Sequence, residues 1–155
     1  MSEISIRPAR VSDLPILLSF EQGVIDAERP FDSTLKKTET HYYNLEELIL
    51  SEHIEVIVAE VNNEVIGSGY IRVQKAKPYL THEEFGYLGF MYVRPDFRGR
   101  GINQMILNAL IHWGTQKNIH EFRLEVYVDN LSAVKAYEKA GFKGNLLEMR
   151  FNTKD

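Results

Sequence analysis

The stretch from Val93 to Trp113 limits the possible folds more than any other part of the chain. A β-type run ends at Pro95, a basic loop containing two glycines follows, and a long amphipathic segment begins. Ile102, Met105, Ile106, Ala109, Leu110 and Trp113 recur at spacings of 3, 4, 7, 8 and 11, which places them on one helical face. Asn103, Gln104, Asn108 and His112 fall elsewhere on that helix. A strand that feeds such a helix through a short loop buries the apolar stripe against a sheet, so an α/β layout is expected.

The remaining segments agree with that layout. Glu3 to Arg7 alternates with Ile4 and Ile6 on one face and stops at Pro8, which predicts a first strand. Ser12-Asp13 starts a helix carrying Leu14, Leu17, Leu18, Val24 and Ile25, with Pro15 tolerated in its first turn. Glu28-Arg29-Pro30-Phe31-Asp32 breaks it, and Leu45, Leu48 and Ile49 mark a shorter second helix. Val56 to Ala59 and Val65 to Val73 read as strands joined at Asn62-Asn63, the residue pair of a tight hairpin. A loop from Lys75 to Thr81 precedes a strand from Phe85 to Val93. Phe122, Leu124 and Val126 alternate as another strand, and Asn130 caps a short helix with Leu131, Val134 and Tyr137 that Gly141 ends. Leu146 to Phe151 is expected to be the last strand.

At 155 residues the chain is expected to form one domain over 1–155. Its 44% apolar content suffices for a core, and there is no repeat, linker or low-complexity tract. Eighteen basic against 22 acidic residues argue against a nucleic-acid or acidic-membrane binder. The absence of cysteine removes disulfides, thiolate metal sites and a Cys nucleophile. The opening Met1-Ser2-Glu3-Ile4 lacks the basic and apolar regions of a signal peptide, and no apolar run approaches a membrane span; a cytoplasmic protein is expected. The five histidines show no ligand spacing, so no metal is expected.

The loop itself predicts an anion site. Arg94, Arg98 and Arg100 against Asp96 give it a net charge of +2 in an acidic chain, and it sits at a helix N-terminus, where unpaired N–H groups suit phosphate. Gly99 and Gly101 let the backbone approach a ligand closely. The alternative is a solvated turn that needs glycine only for its dihedrals. A phosphate-loop motif is absent, and Gly99 to Gln104 lacks the third glycine of a dinucleotide fingerprint.

These residues resemble the acetyl-CoA signature of the GNAT superfamily of N-acetyltransferases, which runs Arg or Gln, two residues, Gly, one residue, Gly or Ala. Arg98, Gly101 and Asn103 occupy those positions, with Asn103 replacing the last small residue. Met91-Tyr92-Val93-Arg94-Pro95 is similar to the family's strand into the loop, and Asn130 to Phe142 is similar to its N-x-x-A-x-x-x-Y-x-x-x-G-F segment. The resemblance covers nearly the whole chain. It implies a three-layer α/β (α+β) fold, in which helices flank a mixed, mostly antiparallel twisted sheet.

What the resemblance implies for activity is direct transfer of acetyl from acetyl-CoA to a primary amine. It assigns cofactor contacts to Met91, Tyr92, Val93, Arg98, Gly99, Arg100, Gly101, Ile102, Asn103 and Asn130. Tyr137 matches the general acid that protonates the departing thiolate, or is a core aromatic. Glu125, in Leu124-Glu125-Val126, matches a proposed base of peptide N-terminal acetyltransferases; His82, Glu83 and Glu84 are rivals for that role. Asn103 crowds the pyrophosphate, caps the helix or donates a hydrogen bond to the phosphate; these alternatives stay open. On the acceptor side, Glu28, Asp32, Tyr42 and Tyr43 are candidates to receive a cationic amine, or are packing residues. The acceptor stays open between a small-molecule amine and a peptide N-terminus or lysine. The family implies a homodimer, and the rival function is an idle acyl-CoA-binding or interaction module on the same fold.

Overall fold

The computed structural model describes residues 3–154; Met1 and Ser2, part of the opening stretch read above, and Asp155 lie outside the described residues. The chain divides into two compact units, one up to Glu125 and one from Val126 onward.

The first unit contains a five-stranded sheet in the order β1 (Ser5–Pro8), β2 (Ile54–Val61), β3 (Glu64–Lys75), β4 (Glu84–Val93) and β5 (Phe122–Arg123). The first three pairings are antiparallel and β4–β5 is parallel, so the sheet is mixed and mostly antiparallel, as expected. The hairpin between β2 and β3 forms where Asn62-Asn63 predicted it. Both residues have positive φ, 52° and 63°, as a two-residue turn matched to strand twist requires.

The sheet is covered on both faces because its strands alternate. Val56, Val58 and Tyr70 point toward helix α1 (Leu14–Glu28) and helix α2 (Leu45–Leu50), packing with Leu17, Phe20, Leu45, Leu48 and Phe90. The opposite face meets helix α3 (Ile102–Gln116), whose Ile106 and Leu110 lie over Gly69. The buried residues of α3 are Ile102, Ile106, Leu107, Leu110 and Gly114, whereas Met105 is 36% exposed. The stripe is therefore rotated from the one read in the sequence. Gly114 sets that rotation: a Cβ there would lie 2.6 Å from the Phe122 ring, so the helix seats its glycine, not Trp113, on the sheet.

The start of α1 is held by a buried ion cluster. Arg7 reaches Asp13 at 2.9 Å and Glu60 at 3.0 Å, and Asp13 also accepts the Arg10 N–H. The Arg7 guanidinium holds the Asp13 carboxyl below its ordinary range.

In the second unit, helix α4 (Leu131–Lys139) is capped by Asn130, whose side chain accepts the Ala133 N–H at 3.3 Å. It ends at Gly141, with φ of 105°. Leu146–Phe151 is not a strand; Leu146 and Phe151 are more than 90% exposed. Apolar alternation makes a strand only when a neighbour supplies ladder partners, and the described residues of the second unit by itself contain no strand to do so. Leu124 likewise lies beyond β5, whose described ladder with β4 pairs Gly86 with Phe122 and Tyr87 with Arg123. No helix among the described residues is long and apolar enough to cross a membrane.

Candidate functional site

The expected anion loop is built by a bulge in β4 and by two glycines. Between Ser68 and Tyr70 on β3 the register slips, so three steps on β4 (Tyr92 to Gly89) face two on β3. The extra residue bends β4 at Phe90, whose φ is +55°, and the Ser68 hydroxyl donates to the Phe90 carbonyl at 3.0 Å. After the bulge Tyr92 and Arg94 face β3, with the Arg94 N–H donating to Ile66. By strand alternation the backbone groups of Met91 and Val93 face the other edge, where pairing with β5 has already stopped at Tyr87.

Arg98 folds the loop back onto that edge. Its Nε donates to the Val93 carbonyl at 2.8 Å, and its guanidinium lies 5.6 Å from the Tyr92 ring centre. Gly99 and Gly101 take left-handed φ values of 79° and 77°, and no atom lies within 4 Å of where their Cβ atoms would be. Gly101 then caps α3 without a side chain. The N–H groups of residues 99–104 have no backbone acceptor among the described residues, so they present donors at the positive end of a 15-residue helix. The open space over both glycines is room that a phosphate can occupy.

The charge of the loop is smaller than the sequence suggests. Arg94 is neutralised by Glu64 and by Asp96 at 2.9 Å. Arg98 and Arg100 remain exposed, with Arg100 5.1 Å from the Phe97 ring. Ile102 is buried in the core side of α3, while Asn103, second in the helix, is partly exposed.

Glu125 lies just beyond β5, and its Oε1 accepts the hydroxyl of Tyr87 on β4 at 2.5 Å. Burial, and then the Glu125 carboxylate, push the Tyr87 phenol far above its ordinary range, which keeps it a donor. Among the rivals, His82 is occupied by Arg123 at 2.8 Å, and Glu83 and Glu84 are exposed. Tyr137 and Asn130 both lie in the second unit. Tyr137 is half-buried on α4, with its ring edge-on to Phe142 at 6.0 Å and its carbonyl accepting the Phe142 N–H.

On the helical face, the α1–α2 linker is organised by a residue the sequence reading missed. Glu21 is fully buried; one carboxylate oxygen accepts the N–H groups of Tyr42 and Tyr43, both at 2.8 Å, and the other meets His41 Nδ1 at 2.8 Å. Its position four residues after Leu17 and four before Ile25, on the apolar stripe, was the available signal. Tyr42 donates to Glu28 at 2.7 Å, and burial raises the Glu28 carboxyl despite that bond. Tyr43 stacks edge-on with Tyr70 and Phe90, and Asp32 accepts the Thr34 N–H. These contacts give Tyr43 a packing role, whereas Glu28 keeps a half-buried carboxylate with no ion pair among the described residues. No group of three or more His, Asp or Glu residues among those described is arranged to hold a metal.

Comparison with known proteins places this arrangement. Residues 22–142 match the model of the Acetyltransferase (GNAT) family. The aminoglycoside N(6')-acetyltransferase type 1 of Salmonella typhimurium is 23% identical over 68% of this chain and 73% of its own. The N-alpha-acetyltransferase of Sulfurisphaera tokodaii is 27% identical over 91% of this chain and 81% of its own. The crystal structure of a predicted acetyltransferase from Clostridium acetobutylicum, solved with acetyl-CoA, superposes with a TM-score of 0.76 at 22% identity, covering 97% of this chain and 96% of that one. With a bulged β4, a glycine loop opening α3 and a family match across most of its length, the chain belongs to the GNAT family of acetyltransferases.

Proposed function

We propose that the protein, acting as one domain, transfers acetyl from acetyl-CoA to a primary amine in a ternary complex. The observation that carries this reading is the open, donor-lined loop of Gly99 and Gly101 at the mouth of α3, beside the unpaired edge of β4. The family match runs across Glu125, which supports a single working domain. The co-crystallised acetyl-CoA of the Clostridium acetobutylicum protein supports the identity of the donor.

Acetyl-CoA supplies the thioester acetyl group. In this reading the N–H groups of residues 99–103, with Arg98 and Arg100, hold the pyrophosphate, and Asn130 holds the pantetheine arm. Met91, Tyr92 and Val93 present the strand edge that receives the arm and polarises the carbonyl, a kind of stabilisation often worth about 3 kcal/mol per donor. Glu125 takes the proton that the acceptor ammonium must lose before nitrogen attacks, and Tyr137 gives one to the departing sulfur. A phenol near 10 and a thiol near 8.5 are close enough for that transfer, by the usual values of about those magnitudes. The relatives named as acting on an aminoglycoside and as an N-alpha-acetyltransferase support an amine acceptor, either a small molecule or a peptide N-terminus.

The test is thermal unfolding with acetyl-CoA, NAD and ATP, followed by thiol release with a panel of amines. Saturation at about a hundred times Kd adds about 2.7 kcal/mol, a rise of roughly 5–10 °C for this size. A shift specific to acetyl-CoA together with amine-dependent thiol release establishes the reading; a shift without release leaves the idle acyl-CoA-binding module.

A further inference from the structure

One arginine on the sheet has a buried Nε–H without an acceptor among the described residues. Arg72 lies on β3, opposite Ile54 of β2 and Tyr87 of β4, and its Nε is buried without a hydrogen-bond acceptor. The described residues give Arg72 no ion pair. Its guanidinium rests 5.6 Å from the Tyr70 ring centre, and of its three nitrogens only Nε is buried without an acceptor among the described residues. Glu55, the nearest acid along β2, is opposite Ile71 and so alternates to the α3 face. Elsewhere Arg7, Arg29, Arg94 and Arg123 each meet a carboxylate, and Arg98 meets a carbonyl. A guanidinium stays charged at any ordinary pH, so a buried Nε–H without an acceptor is a standing cost of the free protein.

The surroundings indicate what would relieve it. Arg72 alternates with Tyr70 onto the face that carries α1, α2 and their linker, the face where Tyr87 donates to Glu125. Tyr70 and Tyr87 have ring centres 6.5 Å apart; Arg72 lies against Tyr70, Glu125 is bonded to Tyr87, and Tyr70 lies within electrostatic reach of both charges. The face thus offers a planar donor fork on one side and a carboxylate on the other, the complement of a molecule with an acid at one end and an amine at the other.

We propose that Arg72 receives an anionic group, a carboxylate or a phosphate, on the amine acceptor, so that the enzyme acetylates amines that carry an acid. This rests on the acetyltransferase reading and assigns its acceptor class. It differs from the simple polycation that Glu28 and the linker tyrosines alone would suggest.

The experiment uses two matched pairs, 5-aminopentanoate against its amide and 2-aminoethyl phosphate against ethanolamine. Each is added to wild-type protein and to Arg72→Gln and Arg72→Lys, with CoA saturating so that the glycine loop is filled. Melting shifts read binding without turnover, and kcat/KM ratios with acetyl-CoA read selectivity. The acid-bearing member of at least one pair is expected to shift wild type more and to be preferred at least about tenfold, about 1.4 kcal/mol. That preference collapses in Arg72→Gln and is partly kept in Arg72→Lys, while the CoA shift is unchanged in all three. The responding pair identifies carboxylate or phosphate. Equal treatment of both members in wild type, or a preference surviving in Arg72→Gln, overturns the proposal. Failure of the acetyltransferase reading is seen separately, as no shift with CoA, and the anion comparison is still read from melting without it.

Discussion

A single carboxylate oxygen of Glu21, inside α1, accepts the consecutive backbone N–H groups of Tyr42 and Tyr43, each at 2.8 Å. The linker between α1 and α2 is thereby tied to a helix that has no other polar group buried in its core face. Replacing Glu21 with Ala leaves two N–H groups without their acceptor, at a cost of about 2–4 kcal/mol. Urea unfolding measures that loss. If the linker shapes the acceptor side, the KM for the amine also rises while the acetyl-CoA shift is unchanged; an unaltered amine KM removes the linker from acceptor binding.

His41 adds a pH dependence to the same tie. Its hydrogen bond to Glu21, and then that to Glu39, raise its pKa above the ordinary imidazole value. The folded protein therefore binds this proton more tightly than the unfolded chain does. The resulting stability is fully present below the unfolded value of about 6.5 and is lost as pH rises through the higher folded value. The difference in stability between wild type and His41→Asn is expected to shrink from about pH 5.5 to about pH 8.5. A difference that is flat across that range contradicts the assignment.

Gly101→Ala separates the loop's conformation from its ligand. The left-handed φ costs a Cβ-bearing residue about 1–2 kcal/mol, and the empty space around the position adds no clash in the free protein. The variant is expected to melt only slightly lower yet to bind acetyl-CoA at least about tenfold more weakly, because the Cβ fills room meant for phosphate. Equal affinity, by calorimetric titration, places the phosphates elsewhere.

Tyr137→Phe keeps the ring and removes the proton. Turnover is expected to fall by roughly ten- to several-hundred-fold with acetyl-CoA affinity nearly intact. Unchanged turnover under conditions where chemistry limits the rate takes Tyr137 out of the mechanism and leaves it as the aromatic that packs on Phe142.

Glu125 and Tyr87 are read together. If Glu125 is the base, Glu125→Gln lowers kcat/KM at least about tenfold while acetyl-CoA affinity is unchanged. The Tyr87 hydroxyl donates to that carboxylate and so fixes its orientation. Tyr87→Phe is expected to lower kcat/KM by less than Glu125→Gln does, with acetyl-CoA affinity unchanged. If substitution of His82, Glu83 or Glu84 causes the larger loss instead, the base lies at the N-terminal end of β4.

The family, the strand order in outline and the glycine loop were legible in the sequence because each depends on local chemistry. Apolar runs bounded by Asn62-Asn63 and by Pro95 gave β2, β3 and β4; Asn62-Asn63 suits the left-handed turn; Asn130 and Gly141 bracket α4 through their own backbone preferences. Gly99 and Gly101 occupy conformations that few other residues tolerate. What tertiary structure decided was partnership between distant residues. Gly114 seated against Phe122 rotates α3, and Glu64 removes Arg94 from the anion loop. Leu146–Phe151 has a strand's alternation and, among the described residues of its own unit, no ladder partner. The pairing of Tyr87 with Glu125, the burial of Glu21 beneath the linker and the isolation of Arg72 join positions up to 38 residues apart. Periodicity reports which face a side chain takes, but hydrogen bonding and ion pairing depend on which other chain segment reaches that face.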